Sequence, residues 1–388
     1  MQSLPEPRSV LYVDHTAAFG GAEIALMRLL GNLDQSRWRP TLTVGSNGPL
    51  VGAVRNRGIQ VSILPMPMAL NSIRQGDISL GSFHPLRAMD ASRYVIQLLS
   101  KARQINAKII HANSWRACVL AGFAARLAGI PCVWQVHAVA AAPMMSPVAV
   151  RLMSNLARLL PVQIVCNSYA TAAPFAVSSG RLSVIPCGVE TARFQSSVRS
   201  ENQARVGMIA RFAPIKGQHI FLDALQRTAA KHESAQFVLA GTALFGEGSY
   251  EDSVRDAALR SGLGGRVQFP GFVPDVPRLL ESLDIVVHPS IGPEGFGQIV
   301  AEAMMAGKPV VASSAGGTAE LIDDRVTGCL VPPGDAAALA EAIDHLLTHP
   351  DEAAEMGRRA RKVALERYDI RVTTRAMQDV YERALSRA

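Results

Sequence analysis

The chain has 388 residues, more than one hydrophobic core usually serves, and at roughly 150 residues per domain that length points to two domains. With 48% of residues hydrophobic and no low-complexity segment, the composition excludes long disorder. The net charge of +7, from 39 basic and 32 acidic residues, is spread along the sequence without a basic run. Such a balance suits an anionic ligand or an anionic membrane face and argues against nucleic acid.

The first residues, Met1 to Arg8, lack a basic stretch followed by an apolar one, so no export signal is expected and the protein is placed in the cytoplasm. Five scattered cysteines without CxxC spacing read as reduced thiols. The longest apolar stretches are broken by Arg126, Gln135, Pro143 and Pro147, short of the ~20 apolar residues that span a bilayer.

Strand Val10–Val13 runs into Asp14-His15-Thr16-Ala17-Ala18-Phe19-Gly20-Gly21, and a helix Ala22–Leu30 opens with Glu23 in its first turn. Gly20 and Gly21 let backbone amides approach a ligand at a helix N-terminus that favours anions, although a Gly-Gly pair also serves as a plain turn. Strands follow at Thr41–Val44 and Val61–Leu64. Met66 to Tyr94 is the least readable part, with Met66-Pro67-Met68 and Phe83-His84-Pro85 suggesting loops. Ile109–His111 and Cys132–Val136 are buried strands closed by His111 and His137. A histidine there either hydrogen-bonds a hydroxyl, acts as a base, or sits as a structural group. Strand Gln163–Cys166 ends at Asn167-Ser168, which is equally open to both readings. The helix around Val148–Leu160 carries Arg151 and Arg158 on an apolar background, which fits either an amphipathic helix on a sheet or a peripheral contact with an anionic membrane.

Thr191 to Ala204 is polar and aperiodic and reads as a linker. The expected organisation is therefore a first domain over 1–190, a linker over 191–204, a second domain over 205–365 and a terminal helix over 366–388 that packs back on the first domain. The second series of strands is Val206–Ile209, Phe237–Ala240, Val267–Phe269, Ile285–His288, Val310–Ala312 and Cys329–Val331, with helices such as Phe221–Lys231 and Ala336–Leu347 between them. Strand and helix in alternation predict an α/β fold of two Rossmann-like domains with parallel sheets, facing across a cleft lined by the carboxyl ends of their strands.

Chemistry concentrates in the second series. Arg211 and Lys216 follow the strand Val206–Ile209, where a guanidinium and an ammonium suit a diphosphate and stabilise charge on a departing phosphate; solvated surface cations are the plainer alternative. Glu294 lies in a Gly/Pro-rich loop after His288-Pro289-Ser290, and Glu302 lies in the helix that begins near Gly297. Carboxylates so placed can accept hydrogen bonds from sugar and ribose hydroxyls. The amides of Gly297, Gln298, Ile299 and Val300 form a second helix N-terminus suited to an anion. There is no Asp-x-Asp and no His/Cys cluster at ligand spacing, so a metal-free site is expected.

The motifs Phe19 to Glu23, Val184 to Glu190, Ala210 to Gly217, Gly271 to Val276, Glu294 to Val311, Gly316 to Glu320 and Val331 to Asp335 resemble, in order and spacing, the signature of the family-4 glycosyltransferases of GT-B fold. The resemblance is close over the second domain and loose over the first. It implies retaining, usually metal-independent transfer of a sugar from a UDP- or GDP-sugar to an acceptor hydroxyl on a sugar, a lipid-linked or a small molecule, with no cofactor besides the nucleotide-sugar co-substrate. It further implies that Arg211 and Lys216 bind the diphosphate, Glu302 holds the ribose, and Glu294 contacts the sugar near its reacting face. Phe296 and Gly297 then complete the sugar pocket, Gly20 and Gly21 close over the phosphates, and His137 is the acceptor-side histidine. His111, Asn113 and Asn167 are further acceptor-side candidates. Cys187 stands where asparagine is usual, Ala210 where glycine is commoner, and Asn113 where a second histidine is usual. A nucleotide-sugar epimerase of the same fold, or a binding protein that has lost acceptor chemistry, are the competing readings.

Overall fold

The computed structural model describes residues 6–71, 85–140, 145–178, 180–194, 203–244 and 246–387. The chain divides into two compact units: unit 1 is Met1–Gly188 with Ile370–Ala388, and unit 2 is Val189–Asp369. The crossing points differ from the expected linker. Val189 pairs with Asp369 across a bridge, and Phe194 is buried, so the residues just after Gly188 already belong to unit 2. Most of the expected linker, and the Phe83-His84 turn, lie outside the described residues.

Unit 1 begins with β1 (Arg8–Asp14), α1 (Gly21–Asn32), β2 (Trp38–Val44), α2 (Pro49–Arg55), β3 (Gln60–Ile63) and the short α3 (Met68–Asn71). It continues through α4 (Pro85–Gln104), β4 (Ile109–Ala112), α5 (Trp115–Ala128), β5 (Cys132–Val136), α6 (Pro147–Leu159), β6 (Gln163–Cys166), α7 (Tyr169–Ala172) and β7 (Leu182–Val184). The seven strands form one parallel sheet in the order β3-β2-β1-β4-β5-β6-β7. Its central strands read as unbroken apolar runs because both faces are covered. Leu11, Val13, Ile110 and Trp134 pack under α4, α5 and α6, whereas Val10, Tyr12, Leu42 and Ile109 pack on the opposite face.

Unit 2 repeats the plan with β8 (Arg205–Ile209), α8 (Gln218–Ala229), β9 (Gln236–Ala240), α9 (Gly248–Arg260), β10 (Val267–Gly271), α10 (Val276–Glu281) and β11 (Ile285–His288). Then come α11 (Gln298–Met305), β12 (Val310–Ser313), β13 (Cys329–Val331), α12 (Ala336–Thr348) and α13 (Pro350–Arg367). Its parallel sheet runs β10-β9-β8-β11-β12-β13. The final helix α14 (Ile370–Leu385) returns to unit 1, where Met377, Val380, Tyr381 and Ala384 join the core on the face of α1. Each sheet therefore has a switch in strand order, between β1 and β4 and between β8 and β11, where open α/β sheets present a crevice to ligands. All five cysteines are buried thiols. Among the described residues no helix is long and apolar enough to cross a membrane.

Candidate functional site

In unit 2 the loops that leave β8 and β11 meet at the switch point. The amide of Ile291 donates to the carbonyl of Ile215 at 2.9 Å, and a Cβ on Gly217 would stand 2.1 Å from the carbonyl oxygen of Pro289. Gly217 also has φ +77, so close approach and backbone shape both require glycine. This contact brings Lys216 to Glu294. Lys216 Nζ donates to Glu294 Oε1 at 2.5 Å, Ser290 Oγ donates to the same oxygen at 2.6 Å, and His288 Nε2 lies 3.5 Å away. Burial pushes the Glu294 carboxyl up, but the Lys216 ammonium and His288 outweigh it and hold the group well below the usual carboxylate range. Glu294 is thus an ionised partner, fixed from behind by Gly316, whose φ of +61 lets its backbone bridge Glu294; a Cβ there would come within 2.4 Å of the Glu294 carbonyl oxygen.

Arg211 follows β8 and pairs with Glu247, at the start of α9. Its carbonyl accepts from Gln218 Nε2 at 2.8 Å, which ties the loop to the first turn of α8. Gly297 caps α11, and Val300 already donates its amide to the Gly297 carbonyl at 3.0 Å. Of the expected amides, Val300 therefore serves the helix itself. Glu302 is buried on the second turn of α11. Phe296 is also buried and meets Tyr368 edge-on at 5.8 Å, so its ring anchors the loop. Among the described residues no group of three or more His, Cys, Asp or Glu could hold a metal ion.

Unit 1 gathers a different set at its own switch point. Asp14, at the end of β1, accepts from Asn113 Nδ2 at 2.7 Å on one oxygen and lies 3.0 Å from His15 Nδ1 on the other. Because the Asn113 amide nitrogen faces that carboxylate, its Oδ1 faces His137, 2.9 Å from Nε2. Nε2 must then carry the proton, and Nδ1 of His137 is a buried lone pair without a partner in the structure. Burial pushes the imidazole down to about 4, against the pull of Asp14. His137 is therefore neutral and suited to accepting a hydrogen bond rather than to taking a proton outright.

Two acceptor-side expectations are corrected. His111 is fully enclosed, with Nδ1 2.9 Å from Tyr381 Oη and Nε2 2.8 Å from Gln135 Oε1, and burial pushes it down to about 3. It joins α14 to the sheet through Tyr381 and Tyr12, and it offers nothing to a ligand. Asn167 is buried too: its Nδ2 donates to the His137 carbonyl at 3.2 Å and its Oδ1 accepts from Thr171 at 3.1 Å. It positions His137. At Gly20 and Gly21 the first turn of α1 is met by its own Glu23, whose carboxyl reaches back to the helix amides; burial and Asp14 raise that group to about 7.

Asp14, Ser290 and Glu247 were not singled out by sequence reasoning. Asp14 had a signal, a carboxylate ending an apolar strand, whereas nothing local marks Glu247 as the partner of Arg211.

Two open parallel sheets, each with polar chemistry at its switch point, are the plan of GT-B proteins. Residues 19–193 match glycosyltransferase family 4 and residues 189–363 match the glycosyl transferases group 1. The chain belongs to the family-4 glycosyltransferases. The phosphatidyl-myo-inositol mannosyltransferase of Mycobacterium leprae is 34% identical over 205 residues, 51% of this chain and 52% of that protein. This chain thus spans about half the length of that relative and of several others. The 2-deoxystreptamine N-acetyl-D-glucosaminyltransferase of Streptomyces fradiae is 26% identical and aligns over 96% of this chain and 92% of its own length. Among solved structures, Anabaena Alr3699/HepE in complex with UDP and glucose superposes with a TM-score of 0.83 at 28% identity, over 96% of this chain and 99% of that one.

Proposed function

We propose that the chain transfers a sugar from a nucleotide-sugar, with a UDP-sugar as donor, to an acceptor hydroxyl, retaining the anomeric configuration and using no metal ion. The observation that carries this reading is the cation pair at the unit 2 switch point, with Lys216 2.5 Å from Glu294 and Arg211 held by Glu247. The likeness to HepE, solved with UDP and glucose, supports uridine as the donor base.

In this reading Lys216 and Arg211 bind the donor diphosphate and offset the charge that grows on it as the sugar departs, the work a divalent ion does elsewhere. The bond from the anomeric carbon to the phosphate oxygen breaks while the acceptor oxygen bonds to the same face of that carbon. The acceptor proton passes to the departing phosphate oxygen. A carboxylate as tightly held as Glu294 serves to orient Lys216 and the sugar and is poorly placed for covalent attack, which favours this direct course. Glu302 holds the ribose, and the backbone of Phe296, Gly297, Gln298 and Ile299 lines the sugar. Gly20 and Gly21 serve the phosphates once Glu23 turns away. Neutral His137, whose buried Nδ1 holds an unused lone pair, is the acceptor-side histidine. The acceptor is a sugar, lipid-linked or small-molecule hydroxyl on the cytoplasmic side.

A thermal-shift screen against UDP-, GDP- and ADP-sugars in EDTA tests the donor assignment, since a ligand that binds only the folded chain raises its stability. Stabilisation by UDP-sugars alone is expected; stabilisation only after adding a divalent ion would remove the metal-free reading, and none at all would remove the donor site.

A further inference from the structure

The sequence has no run of cations, but its positive charge is not spread evenly along the chain as expected above; it is sharply segregated. Between Asp90 and Glu190 there is no aspartate or glutamate, while nine lysines and arginines fall there, leaving 30 basic residues against 32 acidic elsewhere. The stretch builds all of α4 beyond its first six residues, together with α5 and α6, and these helices cover one face of the unit 1 sheet. Each helix turns outward a stripe at helical spacing that mixes arginine with exposed apolar side chains. On α4 the stripe is Met89, Arg93 and Ile96; on α5 it is Phe123, Arg126 and Leu127; on α6 it is Val148, Arg151, Arg158 and Leu159. Leu127 is 62% exposed and Leu159 72%, unusual for leucines with nothing to cover them. Arg151 and Arg158 also flank an open concavity of about 580 Å³ on α6, with Ser154 between them.

We propose that this face docks on an anionic lipid bilayer, with Phe123, Leu127, Val148 and Leu159 entering the interface and the arginines meeting lipid phosphates. The composition selects that occupant. A second copy in a two-fold contact would set this patch against itself, arginine facing arginine, with Asp90 at its α4 margin the one carboxylate among the described residues of α4, α5 and α6. Nucleic acid has no use for the interleaved aliphatic side chains. An anionic bilayer satisfies both features, because arginines gain from surface phosphates while apolar side chains leave water.

The test is co-sedimentation of the full chain with vesicles of phosphatidylcholine alone and of equal parts phosphatidylcholine and phosphatidylglycerol. Binding to the anionic vesicles only is expected, weakened by salt. The triple variant Arg126→Glu/Arg151→Glu/Arg158→Glu should lose at least about tenfold in partition. A control with the same change in charge on unit 2, Arg227→Glu/Arg260→Glu/Arg278→Glu, should keep most of it, with both variants retaining the parent melting temperature. Leu127→Ser/Leu159→Ser should bind more weakly even at low salt. Equal losses in the two triple variants would reduce the effect to net charge and overturn the proposal. So would absence of binding, or a dimer in light scattering that the α5–α6 variant dissociates. None of these readouts involves the donor site, so the proposal stands or falls apart from the assigned reaction.

Discussion

The two sheets share one winding, yet the ends of their central strands carry opposite chemistry. Unit 2 places two cations against two carboxylates, Lys216 on Glu294 and Arg211 on Glu247. Unit 1 places a chain of neutral groups, Asn113 to His137, behind the carboxylate Asp14, with the Glu23 carboxyl close enough to be raised by it. Ion pairs can be exchanged for a charged ligand at little net cost, because the arriving phosphate replaces a carboxylate. Neutral amide and imidazole groups are suited to hydroxyls, where direction matters more than charge. One fold thus holds ion-paired or neutral chemistry according to what its strand ends carry.

The sharpest way to break this comparison is to remove the cations. Lys216→Ala and Arg211→Ala should each lower kcat by about 10²–10³ while leaving the melting temperature near that of the parent, since both side chains lie at the rim of the unit 2 core. Near-parent turnover in either would contradict the phosphate assignment.

Acid should separate the units next. His137 and His111 are held down to about 4 and about 3 from 6.5, so they stay neutral when folded but take up protons when unfolded. Stability from these groups is therefore present above pH 6.5 and lost as pH falls towards 4, by up to about 3 kcal/mol for His137. Glu23 works the other way: raised to about 7, it binds its proton in the folded state first and stabilises unit 1 as pH falls from 7 to 4.5. Glu294, held low, keeps its contribution until pH drops below the ordinary carboxylate range. All three tryptophans, Trp38, Trp115 and Trp134, lie in unit 1, so their fluorescence during urea unfolding reports that unit alone. Glu23→Gln should unmask a steeper loss between pH 6.5 and 4 than the parent shows; an unchanged slope would remove Glu23 as the offsetting group.

Smaller effects sharpen the picture. Glu302→Ala should raise the donor KM about tenfold with a lesser change in kcat, as expected for a group that holds the ribose in ground and transition state alike. Asn113→Ala frees His137 Nε2 from the acceptor that fixes its tautomer, and should raise the acceptor KM a few-fold with the donor KM unchanged. Nitrogen shifts of His137 in the parent should show a neutral ring protonated at Nε2; a ring protonated at Nδ1 would reverse the assignment.

Much of the fold was legible because strands buried on both faces are written as unbroken apolar runs. Cys132–Val136, Gln163–Cys166, Ile285–His288 and Cys329–Val331 are strands at those bounds. The edge strand Leu182–Val184 escaped, being only three half-buried residues. The crossings at Gly188 and Asp369 escaped as well, because the bridge between Val189 and Asp369 joins residues far apart in sequence and has no local pattern. At the sites, Lys216 and Glu294 could be read from their place after strands, and the structure brings them together. His111 shared that placement but points into the core, since alternation along a strand, rather than position at its end, decides which face a side chain takes.

The central claim is that the unit 2 cations bind a nucleoside diphosphate through its phosphates. Calorimetry in EDTA, titrating UDP and uridine into the parent and into Lys216→Ala, tests it directly. The account predicts that UDP binds the parent at least tenfold more tightly than uridine and that Lys216→Ala removes most of that difference, about 1.4 kcal/mol or more. Equal affinity of the parent for UDP and uridine, or a phosphate preference untouched by Lys216→Ala, would contradict it.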